Sequence, residues 1–130
     1  MFSPSKKYLY AIVGASSNPE KYGHKVLANL QGKGFSLIAI NPHEKEILGV
    51  KTYSKLSLCP KKPDVAVLIV PPQIGIEIAK ECKNLGINKI WCQPGAESDE
   101  ILEFCKKSGV ECVGDGSCIM IETNQNKKHS

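Results

Sequence analysis

A short run of small and polar residues is the segment of this sequence best suited to chemistry. Gly14-Ala-Ser-Ser-Asn-Pro19 lies between an apolar run that ends at Val13 and a helix-like segment that begins near Tyr22. Backbone N–H groups at the start of a helix bind phosphate oxygens, and serine hydroxyls add further donors. We therefore predict a phosphate-binding loop here. The alternative is a plain strand-to-helix turn with a helix N-cap.

This loop departs from two common nucleotide-binding motifs. The dinucleotide pattern G-x-G-x-x-G would need glycines at Ser16 and Pro19, and Asn41 stands where an acidic residue would hold a ribose. The Gly-Lys-Ser/Thr ending of a P-loop is also missing. The sequence is thus compatible with a nucleotide diphosphate, but not with the usual way of binding NAD.

The segment Asn41-Pro-His-Glu-Lys45 follows a second apolar run. It offers amide, imidazole and ammonium groups, which tolerate a phosphate on a ribose, whereas an aspartate would repel one. This segment is accordingly predicted to face the ribose. For His43 and Lys45 taken singly, an ordinary solvated loop is nearly as good an interpretation.

Two further segments follow apolar runs. Val70-Pro71-Pro72 presents a stiff apolar wall suited to a flat adenine ring or an extended arm, although it could also be a plain strand terminator. Gln93-Pro-Gly-Ala96 places an amide and a bare backbone at the mouth of the same crevice, and Trp91 before it is predicted to be a core residue.

Groups that could catalyse a reaction are sparse. No histidine has an obvious cysteine or serine partner in the sequence, and Asp99 and Glu100 fit a helix start better than an acid–base pair. Cys118 is predicted to be a buried structural thiol, because no flanking cation would lower its pKa. There is no CxxC or Cys/His cluster, so no metal site is expected.

The elements that position these segments alternate along the chain. Apolar strand-like runs at 8–13, 35–40, 65–70, 89–92 and 110–113 alternate with helical patterns at 22–33, 74–85 and 98–107. This order predicts a single doubly wound, Rossmann-like parallel α/β sheet of about five strands with helices on both faces. Ligands bind such sheets beyond the carboxyl ends of the strands, where the polar segments fall. We assign residues 1–123 to this domain and 124–130 to a disordered polar tail.

The composition and charge of the chain limit the kinds of function that it could have. The chain has 130 residues, 42% of them hydrophobic and 23% charged, which suits one soluble domain that needs no disulfide or structural metal. Its net charge of +4 comes from scattered lysines without any arginine, which argues against nucleic-acid binding. We find no apolar segment long enough for a signal peptide or membrane span, and predict a cytoplasmic protein with reduced cysteines.

Six short motifs occur in a fixed order: Val13-Gly-Ala-Ser-Ser-Asn-Pro19, Lys21-Tyr-Gly23, Ile40-Asn-Pro42, Val70-Pro-Pro72, Trp91-Cys-Gln-Pro-Gly-Ala-Glu97 and Ser117-Cys-Ile-Met-Ile-Glu122. Together they resemble the stand-alone CoA-binding domain family, which is similar to the N-terminal domain of the succinyl-CoA synthetase alpha subunit. The resemblance spans residues 6–122. One departure is Ser117, because family members often carry a basic residue directly before the Cys-Ile-Met motif.

The resemblance implies a site for coenzyme A or an acyl-CoA. By it, the diphosphate contacts are Gly14, Ser16, Ser17, Asn18 and Pro19. The ribose and its 3′-phosphate are met by Asn41, Pro42 and Lys45, and the adenine side is flanked by Val70, Pro71 and Pro72. The pantetheine is reached by Gln93 and Gly95.

The function that we expect is therefore a non-catalytic CoA carrier, sensor or partner subunit, with room for a protein partner or a homo-oligomer. The alpha subunit's phosphohistidine lies in a second domain that this sequence does not match, so no ligase chemistry is expected. Two alternatives stay open. One is a small NADP- or nucleotide-dependent enzyme that uses the same crevice, and the other is a CoA-linked redox protein in which Cys118 forms a mixed disulfide.

Overall fold

Seven strands form one sheet with helices on both faces, in a computed structural model that describes residues 1–124. The strands are β1 (Leu9–Val13), β2 (Ser36–Ile40), β3 (Glu46–Ile47), β4 (Val50–Tyr53), β5 (Val65–Leu68), β6 (Lys89–Cys92) and β7 (Glu111–Val113). The helices are α1 (Tyr22–Gly32), α2 (Pro72–Leu85), α3 (Asp99–Ser108) and α4 (Ile119–Glu122), with a 3-10 turn at Leu56–Leu58. The predicted tail lies outside the described residues except for Asn124.

The strand order across the sheet is β3-β4-β2-β1-β5-β6-β7, and every pair is parallel except the β3–β4 hairpin. The chain moves outward from β1 to one side through β2 and β4, then returns to the other side through β5. The strand order therefore reverses at β1. In the register of the sheet, Val13 is aligned with Ile40 of β2 and Leu68 of β5. Doubly wound sheets bind ligands at such a point. The predicted fold class is confirmed, although the sheet has seven strands rather than about five.

The two faces of the sheet are buried by different helices. Along β1, Ala11 and Val13 face α2 and α3, whereas Tyr10 and Ile12 face α1 and α4, as the two-residue period of a strand requires. All four residues of β5 are fully buried, which is typical of a central parallel strand. Trp91 is 3% exposed and donates from Nε1 to the Ser117 carbonyl oxygen at 3.2 Å, so its predicted core position is confirmed.

Local signals fix most of the helix ends. The Ser98 hydroxyl accepts from the Ile101 N–H at 3.2 Å and begins α3, and Gly109 ends it with φ 77°. Helix α2 begins at Pro72, two residues before the predicted start, because proline suits the first helical position, where no N–H is needed. Strand β5 ends at Leu68, so the prediction that it continues to Val70 is wrong.

The β3–β4 hairpin was not predicted. Its turn places Leu48 at φ 54° and Gly49 at φ 77°, and two successive positive φ values are typical of a type I′ turn. Asparagine or aspartate usually occupies the first of these positions, so Leu48 gives no sequence signal for this turn. In the described residues, no helix is both long and apolar enough to cross a membrane.

Candidate functional site

A cleft opens beyond the carboxyl ends of β1, β2 and β5. Its main part has a volume of about 560 Å³, and a smaller part of about 230 Å³ continues from it along Tyr22, Ile69 and Val70. We call the two parts together the switch-point cleft. Among the predicted site residues, its main part is lined by Gly14, Ser16, Asn41, Pro42 and Val70. The smaller part adds Pro71, Gln93 and Gly95.

The other predicted site residues do not line this cleft. Ser17, Asn18 and Pro19 are exposed on the β1–α1 loop, and the Ser17 hydroxyl donates to the Glu44 carboxylate. Lys45 is exposed beside β3, where its carbonyl accepts from the Thr52 N–H at 3.2 Å. Pro72 is half-buried as the first residue of α2.

Two glycines bring the β1–α1 loop into backbone contact with its neighbours. Gly14 has φ +102°, and a Cβ there would lie 2.4 Å from the Ile69 carbonyl oxygen. A Cβ on Gly23 would lie 1.9 Å from the Gly14 carbonyl oxygen. Neither position accepts a side chain. No role was predicted for Gly23 by itself, although a glycine in the first turn of the helix after the loop is a readable signal for close packing.

The loop is held in place by its own polar groups. The Ser16 hydroxyl accepts from the Asn18 N–H at 3.1 Å, and His24 Nδ1 donates to the Ser16 carbonyl oxygen at 2.9 Å. Asn41 Nδ2 donates to the Ala15 carbonyl oxygen at 2.9 Å, which ties the β2–β3 loop to this one. A loop ordered in this way loses little entropy when it meets a ligand.

The N-terminus of α1 is suited to an anion. No side chain caps it, and its first turn contains no acidic residue, whereas Ser98 caps α3. Uncapped N–H groups at the positive end of a helix attract phosphate oxygens. Because Tyr22 and Gly23 of this first turn line the cleft, the cleft has an electrostatic preference for a phosphate group.

Gln93 joins three elements at the far end of the cleft. Its side chain is fully buried, and Oε1 accepts from the Ile119 N–H at 2.7 Å. Nε2 donates to the Tyr22 hydroxyl oxygen at 2.8 Å and to the Cys118 sulfur at 3.3 Å. The Tyr22 hydroxyl also lies 3.4 Å from that sulfur. We call Tyr22, Gln93 and Cys118 the thiol cluster.

The environment of Cys118 favours its thiolate. Burial raises the pKa of Cys118, but hydrogen bonds from Tyr22, Gln93 and the backbone of Met120 and Ile121 outweigh burial and lower this pKa below its usual value. Burial and the neighbouring sulfur raise the pKa of Tyr22 to about 12, so its hydroxyl stays protonated and able to donate.

The prediction that Cys118 is a buried structural thiol is wrong about its burial, since the residue is half-buried. The sequence also offered no adjacent cation, yet the Lys33 ammonium attracts the Cys118 thiolate from the end of α1. Lys33 Nζ reaches this region by donating to the Met120 carbonyl oxygen at 2.6 Å. Contacts between residues so far apart in sequence could not be read from flanking residues.

A second groove, of about 500 Å³, is less suited to a nucleotide. It is lined largely by apolar side chains beside β2 and β4, including Phe35, Ile38 and Tyr53, together with Lys51 and Lys61. It has neither a glycine-rich loop nor a helix N-terminus in its lining. In residues 1–124 no group of three histidine, cysteine or acidic side chains could hold a metal ion.

Comparison with known proteins assigns the family. Residues 9–124 match the sequence profile of the CoA binding domain. The chain is 28% identical over 127 residues to the alpha subunit of an ADP-forming acetate–CoA ligase II of Pyrococcus furiosus, covering 89% of this chain and 28% of that protein. It is also 28% identical over 111 residues to the uncharacterised protein YneT of Bacillus subtilis, covering 85% of this chain and 82% of that protein.

A solved structure agrees with these matches. A conserved hypothetical protein of Pyrococcus furiosus is 48% identical, with a TM-score of 0.85 and coverage of 89% of this chain and 99% of that one. By contrast, the chain spans only 18% to 28% of the length of five acetate–CoA ligases that it matches. Because the CoA-binding profile covers most of the sequence, the chain belongs to the CoA-binding domain family.

Proposed function

We propose that this protein binds coenzyme A or an acyl-CoA in the switch-point cleft and does not itself catalyse a reaction. The observation that carries the proposal is the uncapped N-terminus of α1 facing a cleft at the point where strand order reverses. Such a site offers N–H donors to a diphosphate without a cost for displacing a capping side chain. Membership of the CoA-binding domain family supports coenzyme A as the diphosphate-containing ligand.

The proposed ligand runs along the cleft from the main part to the smaller part. The diphosphate lies on the β1–α1 loop, where Gly14 and Ser16 face the cleft and Ser17, Asn18 and Pro19 form the outer rim. The ribose lies against Asn41 and Pro42, with its 3′-phosphate toward Lys45. These positions place the charged part of the ligand at the positive end of α1.

The remaining contacts are apolar or made by amide groups. Val70 lines both parts of the cleft, and with Pro71 and Pro72 it flanks the adenine side. Gln93 and Gly95 line the smaller part and face the pantetheine. An extended ligand fits because the two parts share their lining at Tyr22, Ile69 and Val70.

The non-catalytic part of the proposal rests on two histidines near the loops around the cleft, neither of which lines it. His24 uses Nδ1 to hold the Ser16 carbonyl oxygen, and His43 is exposed on its loop without a catalytic partner among the described residues. The ligases that share this domain are much longer than this chain. A carrier, sensor or partner subunit is therefore the role that we propose, acting in the cytoplasm with a protein partner or a second copy.

Isothermal titration of the reduced protein with CoA, acetyl-CoA, NADP, NAD and ADP tests this proposal. We expect CoA to bind the natural protein, and Ser16→Glu to abolish binding because its carboxylate faces the phosphate position. Ser57→Glu is the matched control, since Ser57 is exposed on the 3-10 turn outside the cleft. Thermal unfolding of each variant checks that the fold is retained.

The outcomes separate the candidate functions. Binding of CoA that survives Ser57→Glu and is lost in Ser16→Glu supports the proposal. Binding of NADP without CoA would overturn it in favour of a nucleotide-dependent enzyme that uses the same cleft. Absence of binding by every compound would also contradict it.

A further inference from the structure

We propose that the thiol cluster is a thiol–disulfide exchange site that acts on the sulfur end of a ligand held in the switch-point cleft. Its substrate class is a disulfide of CoA, and this inference rests on the proposed function. Cys118 is the nucleophile, whereas Tyr22 and Gln93 are positioning residues. The product is a mixed disulfide that joins the ligand to Cys118.

The orientation of the Gln93 amide is fixed by its hydrogen bond with Ile119. The Ile119 N–H can only donate, so the Gln93 atom at 2.7 Å from it must be the carbonyl oxygen. The amide nitrogen then faces the other way, toward the Cys118 sulfur and the Tyr22 hydroxyl. Since Gln93 is fully buried, this orientation cannot relax toward solvent.

The Tyr22 hydroxyl completes the arrangement. Its oxygen accepts the second Gln93 N–H at 2.8 Å, which leaves its own hydrogen to point at the sulfur 3.4 Å away. Cys118 Sγ thus receives donors from two side chains that come from α1 and from the end of β6. A sulfur that receives several donors is stabilised as an anion, and the thiolate is the nucleophilic form.

The charged and titratable groups around Cys118 agree with this assignment. Lys33 lies at the end of α1 and attracts the thiolate. Tyr22 on α1 stays neutral, whereas the acidic Glu122 of α4, the short helix that follows Cys118, would oppose a thiolate. The other half-buried thiol near a groove, Cys59, differs, because burial raises its pKa and its sulfur faces the Lys55 carbonyl oxygen at 3.9 Å.

The position of the cluster selects the substrate. Tyr22 lines both parts of the cleft and Gln93 lines the smaller part. The Cys118 sulfur contacts both of these side chains, so it lies next to the end of the cleft that is far from Asn41. CoA carries its diphosphate near one end and its sulfur at the other. A CoA molecule with its diphosphate on the β1–α1 loop therefore directs its sulfur toward this end.

The exchange step is balanced without another reactant. The Cys118 thiolate attacks one sulfur of CoA disulfide, which forms a Cys118–S–S–CoA bond as the original S–S bond breaks. The departing CoA thiolate carries away the electron pair and then takes a proton from water. Cys118 is oxidised and one half of the CoA disulfide is reduced.

Mass spectrometry after brief treatment with CoA disulfide tests the inference. We expect one CoA adduct that maps to Cys118, is absent in Cys118→Ser and persists in the control Cys59→Ser. Glutathione disulfide provides a second control, because it has the same reactive bond but no nucleotide for the cleft, so it should react at least about tenfold more slowly. Tyr22→Phe should slow the CoA reaction about fivefold to tenfold and raise the pKa of Cys118, measured by thiolate absorbance.

Titration with reduced CoA keeps the two proposals apart. If reduced CoA binds to the natural protein and to Cys118→Ser but no adduct forms at Cys118, the exchange site is wrong and the binding function stands. If reduced CoA does not bind, and both disulfides label Cys118 at equal rates, the proposed function fails and the CoA-directed exchange fails with it. An adduct that maps to Cys59 also overturns the inference.

Discussion

The Gly14 carbonyl oxygen occupies the space that a side chain at Gly23 would need, only 1.9 Å from the ideal Cβ position. This contact sets the distance between the β1–α1 loop and the first turn of α1. It therefore determines how far the N–H groups of that turn stand from the cleft. A backbone carbonyl cannot move aside as the end of a flexible side chain can, so the contact leaves no space for a side chain on Gly23.

Gly23→Ala should accordingly destabilise the protein by roughly 3 kcal/mol or prevent folding, because the added methyl group must displace the loop or the helix. The intrinsic helix preference of alanine, about 1 kcal/mol better than glycine, acts in the opposite direction and is too small to compensate. Urea unfolding monitored by circular dichroism measures the change.

Gly32→Ala is the matched control for this substitution. Gly32 lies in the same helix, and a Cβ there would meet nothing within 4 Å. We expect it to stabilise the protein by about 0.5–1 kcal/mol through helix preference alone. Equal effects at the two positions would contradict the argument from close packing.

The carboxylate of Glu44 is the charge that opposes the proposed ligand. Glu44 accepts a hydrogen bond from the Ser17 hydroxyl at the rim of the phosphate-binding loop. Glu44→Gln should raise the affinity for CoA about fivefold at low salt, since it removes a negative charge facing a diphosphate. Titration calorimetry at two salt concentrations measures the effect, which should shrink as salt screens it.

Glu46→Gln controls for the change in net charge. Glu46 is exposed on β3, in the antiparallel pair that follows this loop. Its substitution changes the total charge equally, but the lost charge does not bond to the loop. If both variants raised affinity by the same factor, the specific role of Glu44 would be refuted.

The central architecture was predictable because its signals are local. Val65–Leu68 is an uninterrupted apolar run, Ser98 is a strong N-cap, and Gly86 and Gly109 end their helices with positive φ. Each signal depends on residues adjacent in the chain. The hairpin was missed because β3 has two residues and its turn begins with Leu48, which lacks the usual preference for positive φ.

The candidate site likewise has one part that could be predicted from the sequence and another part that could not. The segments at Gly14, Asn41, Val70 and Gln93 could be predicted to come together because parallel strands end at one edge of the sheet. The thiol cluster could not be predicted, because it depends on where α4 packs. Gln93 and Cys118 are 25 residues apart, and Tyr22 and Cys118 are 96 apart. Sequence spacing does not encode such contacts.

Gln93 is also expected to support the fold. Gln93→Leu would leave the buried Ile119 N–H without its acceptor, and we expect a loss of about 1–3 kcal/mol in the free energy of unfolding. Gln73→Leu, at an exposed position of α2, should change it by less than about 0.5 kcal/mol. Urea unfolding of the two variants makes the comparison, and a loss of similar size in both would argue against the buried hydrogen bond.

The pH dependence of stability offers a test of the Cys118 environment that needs no ligand. The folded-state pKa of Cys118 lies below its usual value, so within the interval between the two the unfolded chain binds more protons at this thiol. The contribution of Cys118 to stability is therefore fully present above the unfolded thiol pKa, and it is lost as pH falls through the folded pKa. Tyr22, whose pKa is raised to about 12, acts oppositely and loses its contribution above about pH 10.

Comparison of the natural protein with Cys118→Ser isolates this contribution, because the other thiols are common to both. We expect the difference in unfolding free energy, measured in urea under reducing conditions, to grow in favour of the natural protein as pH rises from 7 to about 9. Cys59→Ser should show the reverse trend, since burial raises the pKa of Cys59 and its folded state opposes ionisation. A difference for Cys118→Ser that stays constant across this range would mean that the thiol cluster does not stabilise a thiolate.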